Sequence, residues 1–264
     1  MTAESTTGMR TQFFAGPPQA LEERRSQKLA PSGGSEPRAA GSVGAFIFDM
    51  DGTMIDSMPF HAKSWVEFAR RHNIRMEVGD LMARTTGRTG AECMNELFGR
   101  VVAPEEAWAL IAEKEAIYRE LFEPVFAEVA GFKAFALQSL GSKLKLGVGT
   151  AGDRHNIAFA FSHLKLPFAL HAVVGGDEGF PGKPEPAIFL EASSRMNTRP
   201  ESCIVFEDAP FGIEAARRAG MYAVAICTSH AAAELAGPHV LAHARNFDEL
   251  MDQKFLETLN VAIA

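Results

Sequence analysis

The chain has 264 residues, 47% of them hydrophobic, and a formal net charge of −7 at pH 7, enough apolar material for one large globular domain or two modest ones. The acidic balance, with a pI of about 5.7, carries no electrostatic footprint for nucleic acid or an anionic membrane, and no apolar run approaches the roughly 18 residues of a membrane span. Cys93, Cys203 and Cys227 are few, odd in number and outside metal-ligand spacing, which reads as free thiols in a reducing, cytoplasmic setting.

Residues 1–43 differ from everything after them. Pro17-Pro18 and the Ser/Gly/Pro clusters between Pro31 and Pro37 show no sustained period, so a disordered extension is expected. Scattered acids and the lack of an apolar stretch argue against a secretory signal. From Gly44 the chain alternates short apolar runs with amphipathic ones. Ala45–Phe48 opens the series as a predicted buried strand. Residues 58–128 then carry helix patterns and no convincing strand: Phe60–Arg71, Val78–Arg84, Gly90–Phe98 and Glu105–Phe122, with turn signals at Gly87 and Ala103-Pro104. This predicts an all-helical cap inserted after the first strand.

Beyond it, predicted strands Leu144–Val148, Ala172–Val174, Ile204–Phe206 and Ala223–Ile226 are short and mostly aliphatic or aromatic, as buried parallel strands tend to be. Predicted helices Phe132–Leu140, Asn156–Leu164, Pro186–Met196 and Phe211–Ala219 alternate with them, two ending at Gly141 and Gly220. Strand and helix in alternation mean an α/β fold, a doubly wound parallel sheet of Rossmann-like type, built from 44–57 and 129–264 around the inserted cap.

The informative polar residues each follow an apolar run. Asp49 and Asp51 follow the first, Thr150 the second, and Glu207 and Asp208 the fourth; Lys183 lies in the Gly/Pro-rich loop after the third. Ligands of open α/β sheets bind at the carboxyl ends of the strands, so four loops deliver carboxylates, a hydroxyl and an amine to one edge. Two like charges about 4 Å apart repel by roughly 4 kcal/mol at an effective dielectric near 20. Four acids there therefore call for a cation, and hard oxygen ligands suit Mg²⁺. With Lys183 and Thr150 opposite, such a site holds a phosphate dianion. Asp51 lies two residues beyond Asp49, with Gly52 allowing a sharp turn, so one acid can attack phosphorus while the other donates a proton. A calcium loop starting at Asp49 would need Glu at its twelfth position, where the chain has Phe60.

The four groups Asp49-Met-Asp-Gly-Thr-Met-Ile-Asp56, Val148-Gly-Thr150, Gly182-Lys-Pro184 and Phe206-Glu-Asp-Ala-Pro-Phe-Gly-Ile213 resemble, in order, the motifs of haloacid-dehalogenase-like phosphohydrolases. The helical insertion is similar to the cap of the β-phosphoglucomutase-like subgroup, and within it the chain looks closest to sugar-phosphate phosphatases such as those acting on fructose 1-phosphate. The resemblance implies Asp49 as nucleophile and metal ligand, and Asp51 as general acid and base whose main-chain carbonyl also meets Mg²⁺. It implies Thr150 and Lys183 as phosphate holders, Asp208 as metal ligand, and Glu207 as a ligand through water or a partner of the ligands. A small phosphomonoester substrate is implied, handled by a monomer or small homo-oligomer. A dehalogenase proper would lack an acid at the position of Asp51.

In the cap, His61 and Trp65 stand where the subgroup often has His and Trp, and Arg88 and Lys114 could reach a second group of the substrate. His61 also reads as a packing histidine, Trp65 as cap core, and Lys114 as a solvated helix charge. The motifs do not separate a phosphatase from a β-phosphoglucomutase-type mutase; Thr53 and the general similarity favour hydrolysis. A receiver-type phosphoacceptor domain would have its acidic pair before the acceptor Asp and no cap.

Overall fold

The computed structural model describes residues 43–77, 79–81 and 90–262. The expected extension apart from Val43, most of the helix expected over 78–84, and Arg88 lie outside them. Strands β1 (Ala45–Phe48), β2 (Lys145–Gly149), β3 (Ala172–Val174), β4 (Cys203–Glu207), β5 (Tyr222–Ile226) and β6 (Val240–Ala244) form one sheet in the order β3-β2-β1-β4-β5-β6. Every pairing is parallel. After β1 the chain winds outward through β2 and β3, then returns to the other side of β1 at β4. That reversal puts the ligand crevice of a doubly wound sheet at the carboxyl ends of β1, β2 and β4.

The continuous apolar character of the strands follows from cover on both faces. Phe46 and Phe48 of β1 point into one layer with Leu146, Val148, Ile204 and Phe206, while Ala45 and Ile47 point into the other with Val174, Cys203 and Val205. Helices α4 (Phe132–Gly141), α5 (Arg154–Leu164), α8 (Phe247–Asp252) and α9 (Phe255–Ala262) close the first face through residues such as Phe132, Phe135, Leu164, Phe247 and Phe255. Helices α6 (Ala187–Arg195) and α7 (Pro210–Arg218) close the second through Ile188, Phe189, Ile213 and Ala216. Phe48 and Phe206 stack at 4.8 Å, joining β1 and β4 just beneath the site.

The insertion contains α1 (Met58–Arg71), α2 (Gly90–Phe98) and α3 (Pro104–Phe122). It has its own apolar cluster, including Trp65, Phe68, Met94, Leu97 and Ile117. The two crossings between cap and sheet are tied together: Asp56 N–H donates to Ala127 O at 3.0 Å and Val129 N–H to Met54 O at 3.0 Å. Prolines open α1 and α3 one or two residues before the apolar period begins, because Pro59 and Pro104 occupy positions whose N–H has no intrahelical partner.

Candidate active site

Register carries Asp49, Thr150, Glu207 and Asp208 to one edge of the sheet. Phe48 stands opposite Val148 and Phe206, so Asp49 emerges beside Gly149 and Glu207, with Thr150 and Asp208 one residue further. Asp49 N–H continues the ladder to Phe206 O at 3.0 Å. Gly52 then turns the chain with φ +82°, a left-handed conformation that L side chains resist. A Cβ at Gly52 would lie 2.1 Å from Asp208 Oδ2. The turn is therefore glycine for two reasons: backbone conformation and room for that carboxylate.

Lys183 reaches in from its loop and donates to Asp49 Oδ1 at 2.5 Å and to Glu207 Oε1 at 2.7 Å. The other oxygen of Glu207 accepts from Ala209 N–H at 2.8 Å, and a Cβ at Gly212 would fall 1.8 Å from Oε1. Glu207 thus spends both oxygens on protein donors and holds the lysine, the partner role that the sequence allowed beside that of a ligand. Burial opposes the ammonium, but the charges of Asp49 and Glu207 outweigh it and keep Lys183 protonated, its pKa above the ordinary lysine value. Thr150 Oγ1 accepts from Gly152 N–H at 2.9 Å, which leaves its own O–H to donate to a ligand.

The acids show the strain expected of crowded charge. Burial lifts Asp49 well above the usual carboxylate value against the pull of Lys183, with Glu207 and Asp208 adding repulsion. Burial and the charge of Glu207 push Asp208 up to about 8. Asp208 Oδ2 is buried with no hydrogen-bond partner, a costly state for a carboxylate oxygen unless a cation meets it. Among the described residues no three Asp, Glu, His or Cys side chains converge as a metal cluster. A smaller set could hold a cation: the carboxylates of Asp49 and Asp208, the one or two that Mg²⁺ takes when water and phosphate complete its shell. Gly52→Ala is expected to push Asp208 aside, raising the Mg²⁺ concentration for half-activity by about tenfold or more and costing about 1–2 kcal/mol of stability. Magnesium titration and thermal melting read both effects, and an unchanged magnesium curve would remove Asp208 from the metal set.

Asp51 is held from the opposite side. Ser57 Oγ donates to its Oδ1 at 2.7 Å, His61 Nε2 lies 3.1 Å from the same oxygen and Tyr118 O–H 3.3 Å. Lys114 Nζ lies 2.8 Å from His61 Nδ1. An ammonium only donates, so Nδ1 is the acceptor and the proton on Nε2 faces Asp51. Burial pushes the Asp51 carboxyl up, but the hydrogen bonds from His61 and Ser57 and the charge of Lys114 hold it below its ordinary value. Three donors converge on Oδ1 while Oδ2 lies on the side of Gly152, 3.6 Å from where a Cβ there would sit. One oxygen is anchored by cap and hinge; the other faces the Thr150 loop.

The cap residues fall out as follows. His61 contacts Asp51 and stacks on Tyr118 at 3.8 Å between ring centroids. Lys114 is 3% exposed, bonded to His61 and to Glu115 and lying 4.8 Å from the Trp65 ring, so it is no solvated face. Trp65 is buried in the cap cluster. Arg88 lies outside the described residues. Sequence reasoning missed Ser57, Tyr118, Glu115 and Asn156; Tyr118 follows Lys114 by one helical turn, the one signal that could have exposed it.

The chain matches the haloacid dehalogenase-like hydrolase family over residues 43–220, and it belongs to that family. Among its relatives, the validoxylamine A 7'-phosphate phosphatase of Streptomyces hygroscopicus subsp. limoneus is 33% identical over 195 residues, covering 74% of this chain and 91% of that protein. The fructose-1-phosphate phosphatase of Escherichia coli is 34% identical over 185 residues, covering 67% and 93%. The crystal structure of a β-phosphoglucomutase from Clostridium difficile superposes with a TM-score of 0.71 at 23% identity, covering 84% of this chain and 99% of that one, a likeness of fold. Among the described residues no helix is long and apolar enough to cross a membrane.

Proposed function

We propose that this hydrolase is a Mg²⁺-dependent phosphatase of small phosphomonoesters, with sugar phosphates as the substrate class, acting through a phosphorylated Asp49. The observation that carries the reading is the pair of neighbouring carboxylates in opposite settings. Asp49 is buried against Lys183, and Asp51 is anchored by Oδ1 with Oδ2 facing the Thr150 loop. A carboxylate set beside the phosphate-holding lysine and a second one with a free oxygen toward the Thr150 loop can divide the work of nucleophile and proton carrier.

Asp49 attacks phosphorus in line, forming an Asp49 O–P bond as the bond to the leaving oxygen breaks. Asp51 Oδ2 delivers a proton to that oxygen. The carboxylate that remains is the form its surroundings favour. It then takes a proton from water, whose oxygen attacks phosphorus, breaks the Asp49 O–P bond and releases inorganic phosphate. Lys183 and the Thr150 hydroxyl hold the phosphoryl oxygens throughout. Asp49, Asp208 and the Asp51 carbonyl would hold Mg²⁺, which would supply charge neutralisation at the phosphoryl group. The substrate class rests on the two relatives, one a phosphatase of fructose 1-phosphate and the other of validoxylamine A 7'-phosphate.

The test is phosphate release with Mg²⁺ across a sugar-phosphate panel, fructose 1-phosphate and β-glucose 1-phosphate side by side. Release is expected, falling on the order of 100-fold or more with chelator. A mutase differs in what phosphorylated Asp49 meets next, a sugar bisphosphate in place of water. No phosphate, but isomerisation of β-glucose 1-phosphate in the presence of a bisphosphate primer, would replace hydrolysis by mutase chemistry.

A further inference from the structure

Asn156 stands outside the four motif groups, on the first turn of α5, and is 3% exposed. Asp153 caps that helix, accepting from His155 and Asn156 N–H at 2.9 and 2.8 Å, so the Asn156 main chain is fixed by the loop that also carries Thr150. Its side-chain amide faces the cap. Nδ2 donates to Glu115 Oε2 at 2.7 Å, and Oδ1 accepts from Arg119 Nη1 at 2.7 Å. Both partners lie on α3, one turn apart.

Glu115 hands the connection on. Its Oε1 accepts from Lys114 Nζ at 2.9 Å, Lys114 meets His61 Nδ1, and His61 meets Asp51 Oδ1. One string of hydrogen bonds therefore runs from the sheet domain, up through the cap and back to the acid beside the nucleophile. A carboxamide suits its turning point for a chemical reason: it donates to a carboxylate and accepts from a guanidinium at once, with no charge of its own to desolvate. A carboxylate there would keep the Arg119 bond but confront Glu115 with a second acceptor.

We infer that Asn156 is a positioning residue that latches the cap helix α3 to the sheet domain and, through Glu115, Lys114 and His61, sets the Asp51 carboxylate when the cap is down. The inference rests on the phosphatase reading for its kinetic consequence and on geometry alone for the latch. Thr150 and Lys183, which hold the phosphoryl group, do not belong to the string. Loss of the latch therefore acts on turnover and leaves affinity for inorganic phosphate in place.

The experiment compares the whole chain with Asn156→Asp and with the double variant Asn156→Asp/Glu115→Gln, in which amide and acid exchange places and every donor again faces an acceptor. Hydrogen exchange of the α3 amides and steady-state kinetics on the best panel substrate are measured together. Asn156→Asp is expected to speed exchange across Lys114–Arg119 and to lower kcat by about tenfold to a hundredfold, with the inhibition constant for phosphate within about twofold of the parent. The double variant is expected to recover most of both. Wild-type exchange in the single variant, or no recovery in the double, overturns the latch and leaves Asn156 as packing. A parent chain without phosphatase activity would sink the functional reading instead, while the exchange data still decide the latch.

Discussion

Asp49→Asn is expected to lower phosphate release by on the order of 10⁴-fold or more, the scale seen when a covalent nucleophile is removed from a working constellation. The amide is the informative replacement, because it keeps the shape of the side chain and an oxygen that can still accept from Lys183 Nζ. Glu207 continues to hold that lysine through its own 2.7 Å bond, so the pocket keeps its cation and the substrate its phosphate partner. What disappears is the anionic oxygen that would form the bond to phosphorus. A rapid acid quench with labelled substrate should trap label on the parent protein, released by alkali as an acyl phosphate is, and none on the variant. Residual turnover within tenfold of the parent would take the nucleophile away from Asp49. Label on the variant would place the covalent step on another residue.

Much of this site could be read before the fold was in view, and the reason is topological. A parallel strand covered on both faces must be apolar from end to end, so Ala45–Phe48 and Ile204–Phe206 announce themselves, and the polar residues directly after them must sit at the carboxyl edge. Strand β6 gave no such signal. At the sheet edge, Val240 and Ala242 are half-buried, Leu241 is exposed, and of its five residues Ala244 alone is buried, so no apolar run forms. Helices α8 and α9 were also unforeseen, although Asn246 caps α8 by accepting from Glu249 N–H at 2.9 Å, a spacing that marks a helix start. The grip on Asp51 was legible only in part. His61 follows the first motif closely, but Tyr118, Glu115 and Asn156 act on it from 67, 64 and 105 residues away in the chain, where no local period reports a contact. Lys114 shows the same limit: its place on a helix suggests a solvated charge, and its burial comes from packing against Trp65 and His61.

Asp208→Asn is expected to do opposite things to activity and to stability. In the metal-free protein the Asp208 pKa stands at about 8 against an ordinary value of 3.8. Between those values the folded chain binds a proton that the unfolded chain does not, so stability is greatest at the acidic end of the window and falls as pH rises towards 8. Asp49 is raised as well and adds to the fall. Asp51, held low, is lost as a stabilising charge only as pH drops below the ordinary carboxylate range, outside the window. Melting of the chelated protein should therefore decline from pH 5 to pH 8, and Mg²⁺ should offset the decline because it favours the carboxylates, adding about 2.7 kcal/mol at a hundred times its dissociation constant. The Asp208→Asn change removes one buried negative charge from the cluster, so the variant should lose part of the pH slope and melt about 5 °C or more above the parent at pH 8 without metal. If Asp208 holds Mg²⁺ as proposed, the same change removes one of its oxygens, so Mg²⁺-dependent turnover and the stabilisation by Mg²⁺ should both collapse. A chelated variant that melts below the parent at pH 8 would mean that the Asp208 carboxylate is satisfied by the protein itself and that the crowding of acids does not call for a cation there.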